Sequence, residues 1–552
     1  MDDQRRYRHK PLVETDVTTS RPITSILPVT PESEIVVLDK STALASSQLS
    51  LRQLFLGGGV LLGFAVALQR LFGFMTTALA ARIGGASILG EYSVALSTAG
   101  LIGGFMSTGV GTVALRYVGQ FPRNTQAYRK VLRLVIIFSA VGAFASCLVL
   151  FLGSEFAARF ILKNENLKSL LGLAALSSLV FILYESLTGV LISLHNFTGL
   201  LWLSIVSGTL MLMAVSVGAH YGASAMIVGY AVAIALGILF TTVKSRRALM
   251  PLPPTGLAEP VAPRTRDVVL FGNAQQINTI VLGLASWCVI VAITRYDASF
   301  QEMGYFVVGS QLRVLASQAP TLAAQLVLPT LARTTTVPEQ QRVISASTFL
   351  NVALAVVPAG IALLALPWVL RLYGAAFIPA QVACSLLLAT AVVQLTYIPA
   401  ANALLMFSVK TSVAINIAAA VVLMLLAVVF SGRYGAAGGA AAWLCSQVFS
   451  QIAVLAALKK MDRLPSAAIK ICLLGDGVIA ILCLLALIRM ARPNDLVLVT
   501  ALQFLLVSLT VVALFKAAQA RGFLPNTTRS AIDELKSAPT VFKNYLASTR
   551  TT

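Results

Sequence analysis

Long apolar segments recur along the chain from about residue 54, separated by short stretches rich in charged residues, glycine or proline. A helix needs about 20 apolar residues to cross the hydrocarbon core of a membrane, whereas spanning β-strands show alternating patterns of about ten residues. The segments are long and do not alternate, so we predict an all-α polytopic membrane protein with about 14 transmembrane helices. The predicted spans are 54–80, 86–115, 131–153, 167–192, 198–219, 222–243, 268–293, 304–332, 343–366, 381–408, 411–430, 436–457, 467–488 and 496–515.

The second half of the sequence repeats features of the first half. Gly90 returns as Gly304 after a similar arginine-containing stretch, and Tyr221 with the glycine that follows it returns as Tyr434 with its own glycine. Each half holds six spans, and an even number brings the second copy into the membrane in the same orientation as the first. We therefore predict two parallel six-helix repeats plus two extra C-terminal helices, an arrangement typical of transporters.

Composition supports a membrane environment and excludes several classes of protein. The chain has 552 residues, of which 57% are hydrophobic and 11% charged, too few charged residues to cover a soluble protein of this size. Its formal net charge of +20 is dispersed among the ends of the spans, so a nucleic-acid partner is not expected. Seventeen basic residues fall in one set of loops and nine in the other, which predicts that both termini are cytoplasmic.

Changes in composition divide the chain into six parts. The proline-rich and polar start predicts a disordered tail, and a second proline-rich stretch separates the two repeats. The predicted parts are a cytoplasmic tail (1–50), an N-terminal six-helix bundle (51–247), a cytoplasmic linker (248–267), a C-terminal six-helix bundle (268–460), two additional transmembrane helices (461–515) and a basic cytoplasmic tail (516–552).

Motifs for enzymatic chemistry are missing from the sequence. All six cysteines fall inside predicted spans, and the three histidines are scattered, so neither pattern predicts a metal site. The sequence contains neither a GxxxxGK[ST] phosphate-binding loop nor an HExxH zinc motif. We therefore expect no catalytic residues, no cofactor and no metal, and any transport must be passive or driven by an ion gradient.

Two arginines lie near the middle of predicted spans, one in each half of the chain. Arg70 belongs to the first span and Arg313 to the eighth. An ionisable residue at mid-membrane costs at least about 2.5–3.5 kcal/mol on insertion scales, so each needs a partner, a water-filled cavity or a function. A guanidinium binds phosphate oxygens through two hydrogen bonds, which favours an anionic ligand. Pairing with an intramembrane carboxylate is the alternative, and Glu185 is available.

A single acid in the first added C-terminal span has a simpler interpretation. Asp476 follows Lys470 by six residues, so it lies close enough to the inner membrane surface for water to reach it.

Amide side chains mark the seventh and eighth spans. Gln311 and Gln318 are seven residues apart and form one stripe, while Asn273 and Gln276 make the seventh span unusually polar. Amides can hydrogen-bond sugar hydroxyls, and they can equally bond neighbouring helices for about 1 kcal/mol each. Both interpretations stay open.

Several short motifs occur in an order and spacing that resemble a known family. They are RLFGF at 70–74, ILGEYS at 88–93, LRYV at 115–118, LYGAAF at 372–377 and YGAAG at 434–438. Together they resemble bacterial polysaccharide-repeat flippases, which handle O-antigen, capsule and exopolysaccharide units. These flippases belong to the multidrug/oligosaccharidyl-lipid/polysaccharide exporter superfamily. The resemblance covers residues from about 50 to 460.

The resemblance implies a bacterial inner-membrane flippase with two bundles around a cationic cavity. Such a protein alternates between inward-open and outward-open states and moves an undecaprenyl-diphosphate-linked oligosaccharide, a precursor of lipopolysaccharide or exopolysaccharide. Arg70 and Arg313 would hold the diphosphate, and Asn273, Gln276 and Gln311 would contact the glycan. The implied partners are the lipid-linked oligosaccharide and membrane lipids, with a polysaccharide polymerase or glycosyltransferases as further partners.

One departure from the pattern bears on the cargo. The lipid II branch of the superfamily resembles this chain in carrying two extra C-terminal helices, but it has a second arginine in a GFxRD pattern. Here residues 73–77 read GFMTT, which argues against lipid II as cargo. Two alternatives remain. A drug or cation antiporter of the same superfamily would depend on Glu185, and a non-transporting scaffold for an envelope polysaccharide synthesis complex would depend on the tail before residue 49.

Overall fold

A computed structural model describes residues 59–107, 109–251, 263, 265–325, 327–332, 334, 336–491 and 496–520. The helices are α1 (Gly59–Met106), α2 (Val110–Tyr117), α3 (Gln126–Phe156), α4 (Leu167–Ser193), α5 (Phe197–Ala219), α6 (Ala223–Lys244), α7 (Arg246–Leu249), α8 (Thr265–Tyr296), α9 (Gln301–Gln325), α10 (Val327–Ala332), α11 (Val337–Tyr373), α12 (Gln381–Phe407), α13 (Val409–Lys460), α14 (Ser466–Ala491) and α15 (Leu496–Ala520). A π-helical turn at Ala157–Ile161 extends α3, and a 3₁₀ turn at Ala375–Ala380 precedes α12.

Within the described residues, nine helices are long and apolar enough to cross a membrane. Two of them, α1 and α13, are bent at Gly85 and Gly435, where φ is 80° and 52°. A left-handed backbone is inexpensive only for glycine, so these two residues let the chain turn back without a loop. Each bent helix therefore contains two predicted spans. The prediction of an all-α polytopic membrane protein is confirmed.

Three of the predicted parts fall largely beyond the described residues. The tail at 1–50 lies wholly outside them, as do most of the linker at 248–267 and most of the tail at 516–552. The division into these parts stays a prediction.

The two halves of the chain meet where α1 turns and α9 begins. A Cβ atom on Gly90 would overlap the carbonyl oxygen of Phe300, and a Cβ atom on Gly304 would overlap the carbonyl oxygen of Ala86. Gly90 and Gly304 are 214 residues apart, and so are Ala86 and Phe300. Equivalent positions of the repeat thus cross each other reciprocally, as expected beside a pseudo-twofold axis. Ser87 Oγ also donates a hydrogen bond to the Ser299 carbonyl here. We call this side of the protein the Gly90 end.

The two halves also contact each other between the middle of α1 and its C-terminal end. Trp287 of α8 donates its indole N–H to Thr98 Oγ1 at 3.0 Å. Near the end of α1, Gly109 lies against the backbone of Gly272, whose carbonyl oxygen would be 2.8 Å from a Cβ at Gly109. The second half of α1 therefore packs against α8 along its length and against α9 at the Gly90 end.

Proline residues bend the helices of the second half, and side chains from neighbouring helices bond the carbonyl groups that proline leaves free. Pro367 has no N–H for the carbonyl of Leu363, one turn earlier in α11. Arg489 of α14 donates to the carbonyls of Leu363 and Leu364, each at 3.2 Å, and is only 4% exposed. Arg489, just beyond the predicted span 467–488, is thus buried against α11.

The same arrangement occurs in α12. Pro399 leaves the carbonyl of Leu395 without its helical partner, and Asn351 of α11 donates its amide to that carbonyl at 3.3 Å. Asn351 is 1% exposed. Because lipid offers no hydrogen bonds, such carbonyls must be bonded within the protein.

Substitution of Gly304 by alanine is expected to destabilise the packing of the two halves. The added methyl group would overlap the backbone at Ala86, and overpacking of this kind costs about 1–3 kcal/mol. Gly100→Ala in α1 is the matched control, because no atom lies within 4 Å of the Cβ position there. The melting temperature of the purified protein in detergent should fall for Gly304→Ala only; equal melting temperatures for the two variants would contradict the close contact.

Removal of the guanidinium at position 489 should loosen α14 from α11. Arg489→Met keeps the length of the side chain but leaves the carbonyls of Leu363 and Leu364 without donors, at a cost of about 1–3 kcal/mol. Lys470→Met is the control, because Lys470 is an exposed cation on the same helix. Limited proteolysis and thermal unfolding should detect a loss of stability in Arg489→Met alone, and unchanged stability would show that these hydrogen bonds contribute little.

Candidate functional site

A cavity of about 550 Å³ lies between the two halves and is lined by both. The N-terminal half contributes residues of α1, α4, α5 and α6, and the C-terminal half contributes residues of α8, α9 and α13. The charged residues in its wall are Arg70, Glu185 and Arg313. A cavity inside a membrane protein allows charged side chains to avoid contact with lipid.

Arg313 is held in a defined position by two neighbours. Its guanidinium carbon lies 4.1 Å from the ring centroid of Trp443, and Nη1 donates to Gln394 Oε1 at 3.3 Å. Contact with an aromatic face stabilises a guanidinium by about 0.5–2 kcal/mol, depending on how far it is desolvated. Its Nε atom is buried without a hydrogen-bond partner among the described residues. The described ion pairs all lie elsewhere, among Glu155, Arg159, Glu165 and Lys168, so no described carboxylate neutralises Arg313.

Arg70 and Glu185 face the same cavity from α1 and α4. Both side chains have exposed surface, although the Glu185 carboxyl also lies beside Gly111. The charge of Arg70 acts on the Glu185 carboxyl, but the two do not form an ion pair within 4.0 Å among the described residues. The cavity therefore contains two permanent positive charges against one titratable carboxyl group. This excess of positive charge favours an anionic ligand. Because neither arginine belongs to a described ion pair, both guanidinium groups are free to contact that ligand.

The predicted amide residues have different surroundings. Gln311 lines the cavity two residues before Arg313 on α9. Gln318 is outside the described lining, and its amide donates to the Val314 carbonyl of its own helix at 3.1 Å. The side chains of Asn273 and Gln276 lie outside the described residues.

Aromatic residues of the cavity were missed by the sequence analysis. Trp443 supports Arg313, and Tyr230 lies in the opposite part of the wall on α6. The two are 213 residues apart, the same separation as Tyr221 and Tyr434. The internal repeat would have identified them as equivalent positions, but the apolar pattern of their spans does not distinguish an aromatic residue that lines a cavity from one in contact with lipid.

The Gly90 end of the cavity is closed by contacts between the halves. Besides the crossing at Gly90 and Gly304, Arg295 of α8 donates to the carbonyls of Ile161 at 2.6 Å and Phe160 at 2.9 Å. These carbonyls belong to the π-helical turn after α3, whose geometry leaves carbonyl groups unpaired. Opening the cavity at this end requires these bonds to break.

Solved structures of membrane transporters are similar to this chain. A "Lipid II flippase MurJ, inward closed conformation" aligns with a TM-score of 0.60 and 14% sequence identity, covering 81% of this chain and 98% of that chain. An inward-facing multidrug resistance MATE family transporter of the MOP superfamily aligns with a TM-score of 0.53 and 12% identity, covering 75% of this chain and 95% of that chain. The MATE multidrug transporter DinF-BH in complex with R6G gives 0.52 and 14%, with 74% and 95% covered.

No protein-family model matches the sequence, and no curated protein matches it closely enough to count as a relative. At this level of identity the structural likeness establishes the fold. The three structures named above are those of transporters or flippases. The chain is a multi-pass membrane protein whose fold is similar to the folds of the solved lipid II flippase and MATE transporter structures.

Proposed function

We propose that this protein is a flippase that moves undecaprenyl-diphosphate-linked oligosaccharides across the bacterial inner membrane by alternating access. The observation that carries the proposal is the pair of arginines, one from each half, in the wall of one central cavity. Arg70 and Arg313 bind the diphosphate, and the glycan occupies the rest of the cavity. Both termini are cytoplasmic in this proposal, so the closed Gly90 end faces the periplasm.

The chemistry of the arginines fits a diphosphate. A guanidinium stays charged at any physiological pH and donates two parallel hydrogen bonds to phosphate oxygens. One face of the Arg313 guanidinium packs on Trp443 and one nitrogen donates to Gln394, which fixes the orientation of the side chain before cargo binds. A preorganised donor loses less conformational entropy on binding than a free side chain does.

The remaining wall fits a polar, sugar-containing cargo. The volume of about 550 Å³ lies in the usual range of about 300–1,000 Å³ for small-molecule sites. Gln311 offers an amide, and Tyr92, Tyr184 and Tyr230 offer aromatic faces with hydroxyl groups. The cavity holds the diphosphate and the first sugars, while longer glycans extend toward water. Contacts from Asn273, Gln276 and Gln318 to the glycan belong to this proposal as predictions.

Lipid II is not the favoured cargo, even though one similar structure is a lipid II flippase. In the lipid II branch, the resemblance places a second arginine and an aspartate directly after the motif that contains Arg70. Here Thr76 and Thr77 occupy those positions and line the cavity. With fewer charges beside Arg70, the site suits a diphosphate followed by a simple glycan.

The arginines are tested by Arg70→Ala combined with Arg313→Ala. Hydrogen bonds to charged groups contribute about 1.5–3 kcal/mol each, so binding of undecaprenyl diphosphate should weaken about tenfold or more per arginine. Export of the surface polysaccharide should stop while protein abundance is unchanged. The control combines Arg371→Ala with Arg433→Ala, two exposed arginines at the Gly90 end. Normal export and binding in the Arg70/Arg313 double variant would exclude the proposed role.

A drug or cation antiporter is the second candidate, because Glu185 lines the same cavity and two of the similar structures are multidrug transporters. Glu185→Gln separates the two functions. In a flippase, removal of the only described carboxyl in the wall should strengthen binding of undecaprenyl diphosphate, since the arginines lose a competing negative charge. In a cation antiporter the same change should abolish transport. Binding and rhodamine 6G uptake, measured on the same proteoliposomes, decide between them, and weaker diphosphate binding in the variant would contradict the flippase assignment.

A further inference from the structure

Asp476 places a carboxyl group on α14, outside the described lining of the cavity. Its Oδ2 atom accepts a hydrogen bond from Gln451 Nε2 at 2.6 Å, and its Oδ1 atom lies 3.2 Å from Thr396 Oγ1. Side chains from three helices, α12, α13 and α14, therefore meet at this carboxyl group. The two hydrogen-bonding partners are uncharged, although the site lies ten residues into an apolar span.

A negative charge at this position would be uncompensated. None of the described ion pairs includes Asp476, so no described Lys, Arg or His nitrogen lies within 4.0 Å of its carboxyl oxygens. Two titratable groups of the neighbouring turns are Cys472, one turn earlier on α14, which interacts electrostatically with Asp476, and Tyr397, which follows Thr396 on α12 and donates to Gln447. Lys470 is exposed near the start of α14. An unpaired carboxylate in a span costs several kcal/mol, whereas the neutral acid avoids most of that cost.

The hydrogen positions implied by the heavy atoms point the same way. The Thr396 hydroxyl has one hydrogen, and its oxygen lies 2.8 Å from the Val393 carbonyl, closer than the 3.2 Å to Asp476. If that hydrogen goes to Val393, the Thr396 oxygen can only accept. It accepts from Gln451 Nε2 at 3.3 Å with one lone pair and faces Asp476 Oδ1 with the other, so a hydrogen on the carboxyl group completes this contact.

We propose that Asp476 is a proton-binding site, occupied in this conformation by a proton on Oδ1 that is donated to Thr396 Oγ1. Gln451 donates to the carbonyl oxygen of the acid, Oδ2, and completes the arrangement. A metal cation fits less well, because hard cations require converging oxygen atoms and the closest neighbour of the carboxyl group is an amide nitrogen. On loss of the proton, the Thr396 hydroxyl must rotate away from Val393 to donate to the carboxylate.

Polar side chains of α12 and α13 lie between this site and the cavity. Gln447 and Gln451 follow Trp443 by four and eight residues, so the three side chains lie along one face of α13. Tyr397 donates to Gln447 Oε1 at 2.8 Å, which joins α12 to α13 midway. Gln394, one turn before Tyr397 on α12, bonds Arg313 in the cavity wall. We call these side chains, from Asp476 to Gln394, the polar seam.

The polar seam links the protonation of Asp476 to the cargo site. Rotation of the Thr396 hydroxyl changes its hydrogen bond with Gln451 on α13. The same helix carries Trp443, and α12 carries Gln394, the two residues that hold Arg313. Under the proposed transport function, on which this step rests, the protonation state of Asp476 therefore changes the affinity of the cavity for its anionic cargo. The helix that supplies Asp476, α14, lies outside the two six-helix repeats.

Infrared spectroscopy of the full-length protein in lipid nanodiscs tests the proton site without any cargo. At neutral pH the wild-type spectrum should contain the carbonyl-stretch band of a protonated carboxyl group that is missing in Asp476→Asn. Asparagine mimics the neutral acid, because its amide can donate to Thr396 and accept from Gln451, so the variant should fold. Asp462→Asn, at an exposed aspartate in the turn before α14, is the control and should keep the band. Thr396→Val should shift the band by removing its acceptor. Identical spectra for wild type and Asp476→Asn would overturn the proposal.

Coupling to the cavity is tested by binding of undecaprenyl diphosphate across a pH series. Site-to-site coupling is typically about 5–150-fold in affinity, so the wild-type affinity should change at least about fivefold across the titration of Asp476. Asp476→Asn should stay at the acid-side value. Glu185 and the phosphates titrate in both proteins, so the difference between the profiles reports Asp476. Parallel profiles would overturn the coupling. If neither protein binds the lipid, the flippase function fails, whereas the infrared result on Asp476 still decides the proton site.

Discussion

The absence of hydrogen-bonding partners in the lipid hydrocarbon is the constraint on which this structure depends. Every charged or polar group inside the spans must be bonded by the protein or must reach a cavity. Arg489 and Asn351 meet this requirement by bonding the carbonyls that Pro367 and Pro399 leave free. Asp476 meets it with neutral partners. Arg70, Arg313 and Glu185 meet it in a different way, by facing a shared cavity, and this difference separates structural polar groups from candidate functional ones.

The internal repeat explains where that cavity lies. Reciprocal contacts of Gly90 and Gly304 bring the two halves together at one end, and glycine is needed because any side chain would overlap the opposing backbone. The cavity lies between the two halves, and equivalent aromatic residues, Tyr230 and Trp443, line it. Symmetry therefore supplies the shape of the cavity, while the arginines, which occupy non-equivalent positions, supply its charge.

Much of the fold could be predicted from the sequence, because helices in a membrane are specified by length and hydropathy. The predicted spans 381–408 and 467–488 differ from α12 and α14 by at most three residues at each end. The breaks near Gly85 and Gly435 were predicted as separations between spans, and the structure has bends in continuous helices there, because a single glycine with positive φ is enough to reverse the chain. Backbone angles of this kind leave little trace in an apolar pattern.

The candidate site could be predicted only in part. Arg70, Arg313 and Glu185 stood out because charge is rare in apolar spans, and all three line the cavity. Trp443 and Gln394 did not stand out, because their role depends on contact with Arg313, which lies 130 and 81 residues away in the sequence. The neutral partners of Asp476 could not be identified from the sequence either. The sequence suggested simple access to water, whereas Gln451 and Thr396 come from two other helices and are brought to Asp476 only by packing.

The most direct test of the central claim is an electron cryo-microscopy structure of the protein in lipid nanodiscs with undecaprenyl diphosphate bound. The account predicts phosphate density between the guanidinium groups of Arg70 and Arg313, with the Arg313 side chain still stacked on Trp443. Density for the diphosphate at another site, or arginine side chains turned away from an empty cavity at saturating lipid, would contradict it.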